Sequence, residues 1–123
     1  MRIKDVEKLL NIDRETIRFY IKKELIDPHQ SSNGYREYTD RDIRDLKKIL
    51  IMRDLDMSIE DIRGVLQGEK DLAQLLQSSR RNLSKRIELA ENAGRMCSEL
   101  MSSDSLSFDP DTYFRKREEV IYS

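Results

Sequence analysis

Asn11-Ile12-Asp13-Arg14-Glu15-Thr16-Ile17-Arg18-Phe19-Tyr20-Ile21-Lys22-Lys23 is the stretch that decides the fold. Asn11 tolerates the left-handed backbone on which a helix often ends. Asp13 offers a carboxylate to the free N–H groups of a new helix and places a start at Arg14. Upstream, Ile3, Val6, Leu9 and Leu10 recur at helical spacing. Two short helices across a three-residue turn are the footprint of a helix-turn-helix. The second helix, Arg14 to Lys23, ends before Leu25-Ile26-Asp27-Pro28, where proline disfavours helix in the residue before it.

Working outward, Ser31-Ser32-Asn33-Gly34-Tyr35-Arg36-Glu37-Tyr38 joins a strong hairpin signal, Asn-Gly, to a brief strand. A small hairpin directly after a helix-turn-helix reads as a wing. Thr39-Asp40-Arg41-Asp42 resembles a capping box and opens a third helix carrying Ile43, Leu46, Ile49, Leu50 and Met52 to about Leu55. Ser58-Ile59-Glu60-Asp61 repeats the device for a fourth, with Ile62, Val65 and Leu66, closed by Gly68. The division expected is therefore 1–68, a winged helix-turn-helix domain; 69–101, a long helix; and 102–123, a short tail.

Between Glu69 and Met101 there is no proline and a single glycine, Gly94. Leu72, Leu76, Ser79, Leu83, Ile87, Ala90, Gly94, Cys97 and Met101 recur at spacings of three and four, the seam of a coiled coil with one irregular step. At 1.5 Å per residue this helix would be roughly 50 Å long. A domain this small cannot hide such a stripe, which points to a homodimer; the alternative is a long helix folded back on its own domain. Composition agrees. Only 37% of the 123 residues are hydrophobic and 38% are charged, which is meagre for a self-contained core.

Composition also excludes whole classes of function. No window of ~18 apolar residues could span a membrane, and no apolar run follows Met1-Arg2 as a signal peptide would, so the default address is the cytoplasm. One cysteine and one histidine, Cys97 and His29, rule out a disulfide framework, a multi-cysteine zinc site and a histidine-rich metal site within the chain. With no nucleophile–base constellation and no Gly-rich phosphate loop, an enzyme is not expected, nor is a cofactor. Charge balances at 23 basic against 24 acidic residues, and residues 1–68 carry 14 of each. Local clustering decides phosphate affinity instead: Arg14, Arg18, Lys22 and Lys23 face Glu15 alone.

These pieces together resemble the MerR family. Thr16-Ile17-Arg18-Phe19-Tyr20, Leu25-Ile26-x-Pro28, Asn33-Gly34-Tyr35-Arg36-x-Tyr38, Asp42-Ile43 and Leu55-x-Met57-Ser58-Ile59-x-x-Ile62 follow its pattern in order and spacing, over residues 2 to about 68. The resemblance implies a mainly α, winged helix-turn-helix regulator that pairs through antiparallel long helices. It implies binding to double-stranded promoter DNA, bending and undertwisting of a long spacer, and action beside RNA polymerase. Such deformation itself contributes to sequence selectivity.

By the same resemblance, Arg18 meets the major groove, Tyr20 the backbone, and Arg14 and Thr16 the base edges at the start of the recognition helix. Arg36 and Tyr38 in the wing, and Arg53 near the end of the third helix, reach phosphate or minor groove; Lys22 and Lys23 add affinity without reading sequence. Phe19, where many relatives carry tyrosine, is expected in the core, and Tyr35 is expected to pack on the third helix. Glu24 and Asp56 stand where relatives usually carry glycine. If those positions need positive φ, each side chain costs up to about 1 kcal/mol.

The signal is open. Metal-sensing members place cysteines at the start of the long helix and in the loop after it; Glu69–Leu76 and Ser102–Ser107 have none. Cys97 reads as a small buried seam residue. Drug-sensing members carry a large ligand domain, for which 102–123 is too short; Tyr113, Phe114 and Tyr122 are the candidates for a small apolar effector site, with ordinary tail packing as the alternative. The chain stops on Val-Ile-Tyr-Ser without a polar taper, so a longer native chain is conceivable. Two rival readings stand: a coiled-coil protein-interaction module scaffolded by the winged domain, and a ligand-independent repressor or DNA-shaping protein.

Overall fold

Each helix begins where a side chain meets the backbone N–H groups that the helix itself cannot pair. The computed structural model describes residues 1–102 and 108–121. Its helices are α1 (Ile3–Leu10), α2 (Arg14–Lys22), α3 (Asp40–Asp54), α4 (Ile59–Leu66), α5 (Leu72–Ser102) and α6 (Pro110–Ile121). Asp13 Oδ1 accepts from the Thr16 N–H at 2.8 Å. Thr39 and Asp42 form a complete capping box, with bonds of 3.1 and 2.9 Å. At α4 the Ser58 hydroxyl accepts from the Asp61 N–H at 3.1 Å, but the Asp61 carboxylate binds the Lys70 ammonium at 2.7 Å. Gly64 makes room for that bond. A Cβ there would lie 2.5 Å from Lys70 Cγ and Cδ, so the lysine stem crosses α4 at the glycine.

Helix ends are as regular as helix starts. After α2, the Glu24 N–H donates to the Ile21 carbonyl and the Leu25 N–H to the Tyr20 carbonyl, at 2.9 and 3.0 Å. After α3, Asp56 donates to Arg53 and Met57 to Met52; after α4, Gly68 donates to Val65 and Glu69 to Gly64. All three are Schellman closures, which need a left-handed residue just past the helix. That residue is Glu24 (φ 63°), Asp56 (φ 65°) and Gly68 (φ 73°), and α1 ends likewise on Asn11 (φ 53°). The buried pairs Tyr20/Leu25 and Met52/Met57 supply the apolar contact typical of the motif.

The hairpin is two strands, β1 (His29–Gln30) and β2 (Arg36–Glu37), antiparallel with His29 opposite Glu37 and Gln30 opposite Arg36. Its turn centres on Ser32-Asn33 rather than on Asn33-Gly34. The Gly34 N–H donates to the Ser31 carbonyl at 3.0 Å, Asn33 keeps negative φ, and Gly34 alone is left-handed at φ 85°. That is a type I turn followed by a glycine bulge. Beyond β2, the Tyr38 N–H donates to the Met1 carbonyl at 2.8 Å, tying the wing to the start of the chain.

The chain forms two units, Met1–Ser79 and Arg80–Ser123. The first closes around Val6, Ile17, Leu46, Ile49 and Ile62, with Tyr20, Leu25, Ile26, Tyr38, Ile43, Met52 and Met57 around them. Leu75 packs against this cluster and Ser79 is buried, so the first turns of α5 belong to the winged unit. The long helix starts at Leu72, three residues later than the boundary read from sequence, after Asp71 has capped the Ala73 N–H at 3.1 Å.

In the second unit, α5 shows much of its seam to solvent. Ile87 is 61% and Met101 80% exposed, Leu83 is half-buried, and Ala90 and Gly94 are exposed. Cys97, expected as a buried seam residue, is exposed in the single chain, on the same solvent-facing stripe as Gly94 and Met101. Phe108 and Tyr113 meet edge to face, with ring centres 5.5 Å apart.

Candidate nucleic-acid interface

The second helix of the pair is rotated so that Ile17, Tyr20 and Ile21 face the core, one turn apart. That rotation sends Arg18 outward. It also sends Phe19 outward: expected in the core, it is 42% exposed, since position 19 lies about 200° around the helix from position 17. The Lys23 ammonium sits 5.7 Å above its ring.

Arg18 opens onto a cleft of about 420 Å³ whose walls come from three elements. The start of α1 contributes Arg2, Ile3 and Lys4, α2 contributes Arg14 and Arg18, and the hairpin region contributes Gly34, Tyr35, Arg36 and Tyr38. Five cations thus line one concave surface. Two are already engaged. Arg2 Nε pairs with Glu37 Oε1 at 3.2 Å, and Arg14 Nη2 pairs with Glu7 Oε1 at 2.9 Å. Among the described residues, Lys4, Arg18 and Arg36 make no ion pair. A concave surface with unneutralised cations on a helix and a hairpin suits a phosphate backbone.

Arg2 and Lys4 escaped the sequence reading, although a signal was there. Both lie at the N-terminus of α1, where the helix dipole disfavours cations. Basic residues in that position are a reason to look for an anionic partner.

The two tyrosines assigned to DNA lie mostly inside. Tyr20 is 5% and Tyr38 4% exposed, so their rings are core residues and only the hydroxyl ends could meet a ligand. Burial raises both phenols above the usual range; the Arg53 charge opposes this at Tyr20, and the Arg36 and Arg18 charges oppose it at Tyr38. Tyr35 takes the opposite part. Expected against α3, it is 59% exposed, with the Arg2 guanidinium 4.3 Å above its ring. The bulge at Gly34 and the strand register turn Tyr38 inward and leave Tyr35 at the rim.

The remaining assigned residues lie off the cleft. Thr16 is half-buried, while Lys22 and Lys23 are exposed at the other end of α2. The Lys23 carbonyl accepts two bonds from Arg63 of α4, at 2.6 Å from Nη2 and 3.0 Å from Nε. Arg53 donates to the Met57 carbonyl at 3.0 Å and so braces the end of α3. Of the tail candidates, Tyr113 is half-buried, Phe114 is 67% exposed under the Arg117 guanidinium, and Tyr122 lies outside the described residues. Among the described residues, no three His, Cys, Asp or Glu side chains are placed to hold a metal, and no helix is long and apolar enough to cross a membrane.

Residues 1–69 match the family model described as "MerR HTH family regulatory protein". Over 89 residues, 72% of this chain and 66% of the relative, the sequence is 33% identical to "HTH-type transcriptional regulator ZntR homolog" of Haemophilus influenzae. It is 35% identical over 66 residues to the regulator ZntR of Escherichia coli K12, covering 53% of this chain and 47% of that one. To the regulator CueR of Salmonella typhi it is 34% identical over 107 residues, 83% of this chain and 72% of the relative. The matched stretch thus spans about half to two thirds of the first two relatives' length.

Proposed function

The chain belongs to the MerR helix-turn-helix family, and from that premise we propose that it is a transcriptional regulator that binds promoter DNA as a homodimer. One observation carries the reading: Lys4, Arg18 and Arg36, from α1, α2 and the hairpin, converge without ion pairs on one cleft. α2 enters the major groove, Arg18 contacts base edge or phosphate, and Arg36 on the hairpin grips the flanking backbone. Lys22, Lys23 and Arg53 add phosphate contacts; the Tyr20 phenol lies near Arg53, and the Tyr38 phenol near Arg36 and Arg18.

The exposed seam of Ile87, Ala90, Gly94, Cys97 and Met101 supports pairing of two long helices. Two winged units on one duplex can then bend and undertwist the spacer beside RNA polymerase, with a deformation energy that depends on sequence. The relatives' printed names are those of HTH-type transcriptional regulators.

The test uses duplexes selected from a randomised pool by the purified chain. Arg18→Ala should weaken binding by about 1–3 kcal/mol and relax preference at one base position. Unchanged affinity in a folded variant would remove Arg18 from the interface. A second reading, a protein-interaction module working through α5, draws on the same exposed seam; binding that ignores salt concentration would favour it.

A further inference from the structure

Glu7 does two things at the front of α2. Its Oε2 accepts from the Arg14 backbone N–H at 3.1 Å, one of the donors that a helix N-terminus leaves unpaired. Its Oε1 accepts from Arg14 Nε at 3.1 Å and Nη2 at 2.9 Å. One carboxylate on α1 therefore fixes both the first residue of α2 and that residue's guanidinium. The pair is only partly exposed, with the Glu7 side chain at 26% and Arg14 at 46%. Arg14 lines the same cleft as Arg18, yet its charge is matched before any phosphate arrives.

We propose that Glu7 limits the electrostatic strength of the DNA interface: by holding Arg14 it withholds a cation from phosphate contact. The inference rests on the DNA-binding reading above. Phosphate contacts strengthen binding to every sequence alike, whereas discrimination comes from base edges and shape. A cation held against α1 leaves the cleft with three free positive groups instead of four. Affinity for DNA of any sequence is lower for it, and so is the salt dependence of binding.

The experiment is a salt titration of the full chain on a mixed-sequence duplex. Glu7→Gln keeps an oxygen for the Arg14 N–H but lacks the charge that holds the guanidinium. It should bind this duplex several-fold more tightly at low salt, with a log–log salt slope steeper by about 0.9, the value of one added phosphate contact. Between 50 and 200 mM salt that is an extra loss of about 3.5-fold. Arg14→Gln alone should leave the wild-type slope unchanged, and adding it to Glu7→Gln should restore that slope. Arg18→Ala on the same duplex is the control for the interface. If Arg18→Ala weakens binding while the Glu7→Gln slope is unchanged or shallower, the role of Glu7 is overturned. If Arg18→Ala also has no effect, the cleft is not the DNA face and both readings fall. A lowered slope in Arg14→Gln alone would show that Arg14 already reaches phosphate, which overturns the inference as well.

Discussion

Gly68 and Glu24 occupy the same backbone conformation at the ends of neighbouring helices, so exchanging their residue types should move stability in opposite directions. A Cβ at Gly68 would meet nothing within 4 Å, so Gly68→Ala carries no clash and reports backbone conformation alone. Placing an L-residue in the left-handed region costs about 1–2 kcal/mol. The unfolded chain gives back about 0.5–1 kcal/mol, because alanine has less freedom to lose than glycine. Gly68→Ala should therefore destabilise the winged unit by roughly 0.5–1 kcal/mol, and Glu24→Gly should stabilise it by the same amount. For a unit of this size that is about 2–8 °C in Tm each way. The assay is thermal unfolding followed by far-ultraviolet circular dichroism at one fixed protein concentration, since pairing would otherwise shift the midpoint. Glu24→Ala is the decisive companion. It removes the carboxylate but keeps the Cβ, and should gain nothing. If Glu24→Ala stabilises as much as Glu24→Gly, the side-chain charge and not φ 63° is responsible.

Three further outcomes follow from the geometry. Arg63→Ala removes both bonds to the Lys23 carbonyl and should cost about 1–2 kcal/mol, with Arg63→Lys recovering part of it; urea titration checks this, and no loss would mean the bonds fix nothing. Ile87→Lys should yield monomers in sedimentation velocity and weaken binding to selected duplexes at least tenfold, about 1.4 kcal/mol; Ile87 is 61% exposed in the protomer, so a persistent dimer would move the interface elsewhere. Hydrogen bonds from Thr16 hold the Asp13 carboxyl below its ordinary 3.8, and those from Lys70 do the same for Asp61. A depressed folded value gives stability that is complete above 3.8 and fades as pH falls through the folded value. Acid titrations should thus show Asp13→Asn losing less stability below about pH 3.8 than the wild type, and an unaltered acid limb would count against the cap.

Helix starts and stops could be read from the chain because they are local. Asp13, Thr39 and Ser58 act on N–H groups three residues away, and Asn11, Glu24 and Asp56 act on their own φ. The aromatic residues depended on partners far along the chain. Tyr35 and Tyr38 carry similar local signals, and only the hairpin register and the bond from Tyr38 to Met1 decide which one turns inward. Phe19 looked apolar enough for the core, yet the stripe of Ile17, Tyr20 and Ile21 was already full. In the cleft, Arg18 and Arg36 were legible from motif spacing. Arg2 and Lys4 carried only the signal of cations at a helix start, and the capture of Arg14 by Glu7 carried none, since it needs α1 and α2 set side by side.

Helix α4 holds eight residues with Gly64 the sixth of them, and a glycine inside a helix costs about 1 kcal/mol of helix stability relative to alanine. Side chains tie it outward on both sides, through Arg63 to the end of α2 and through Asp61 to Lys70 beside the start of α5. A short helix weakened by an internal glycine is the natural place for a local opening. When α4 opens, both ties go with it, so the end of α2 and the root of the long helix lose support in one cooperative event. Amide protons in α4, in the last turn of α2 and at the start of α5 should then exchange with solvent at a common rate, ahead of those in α3.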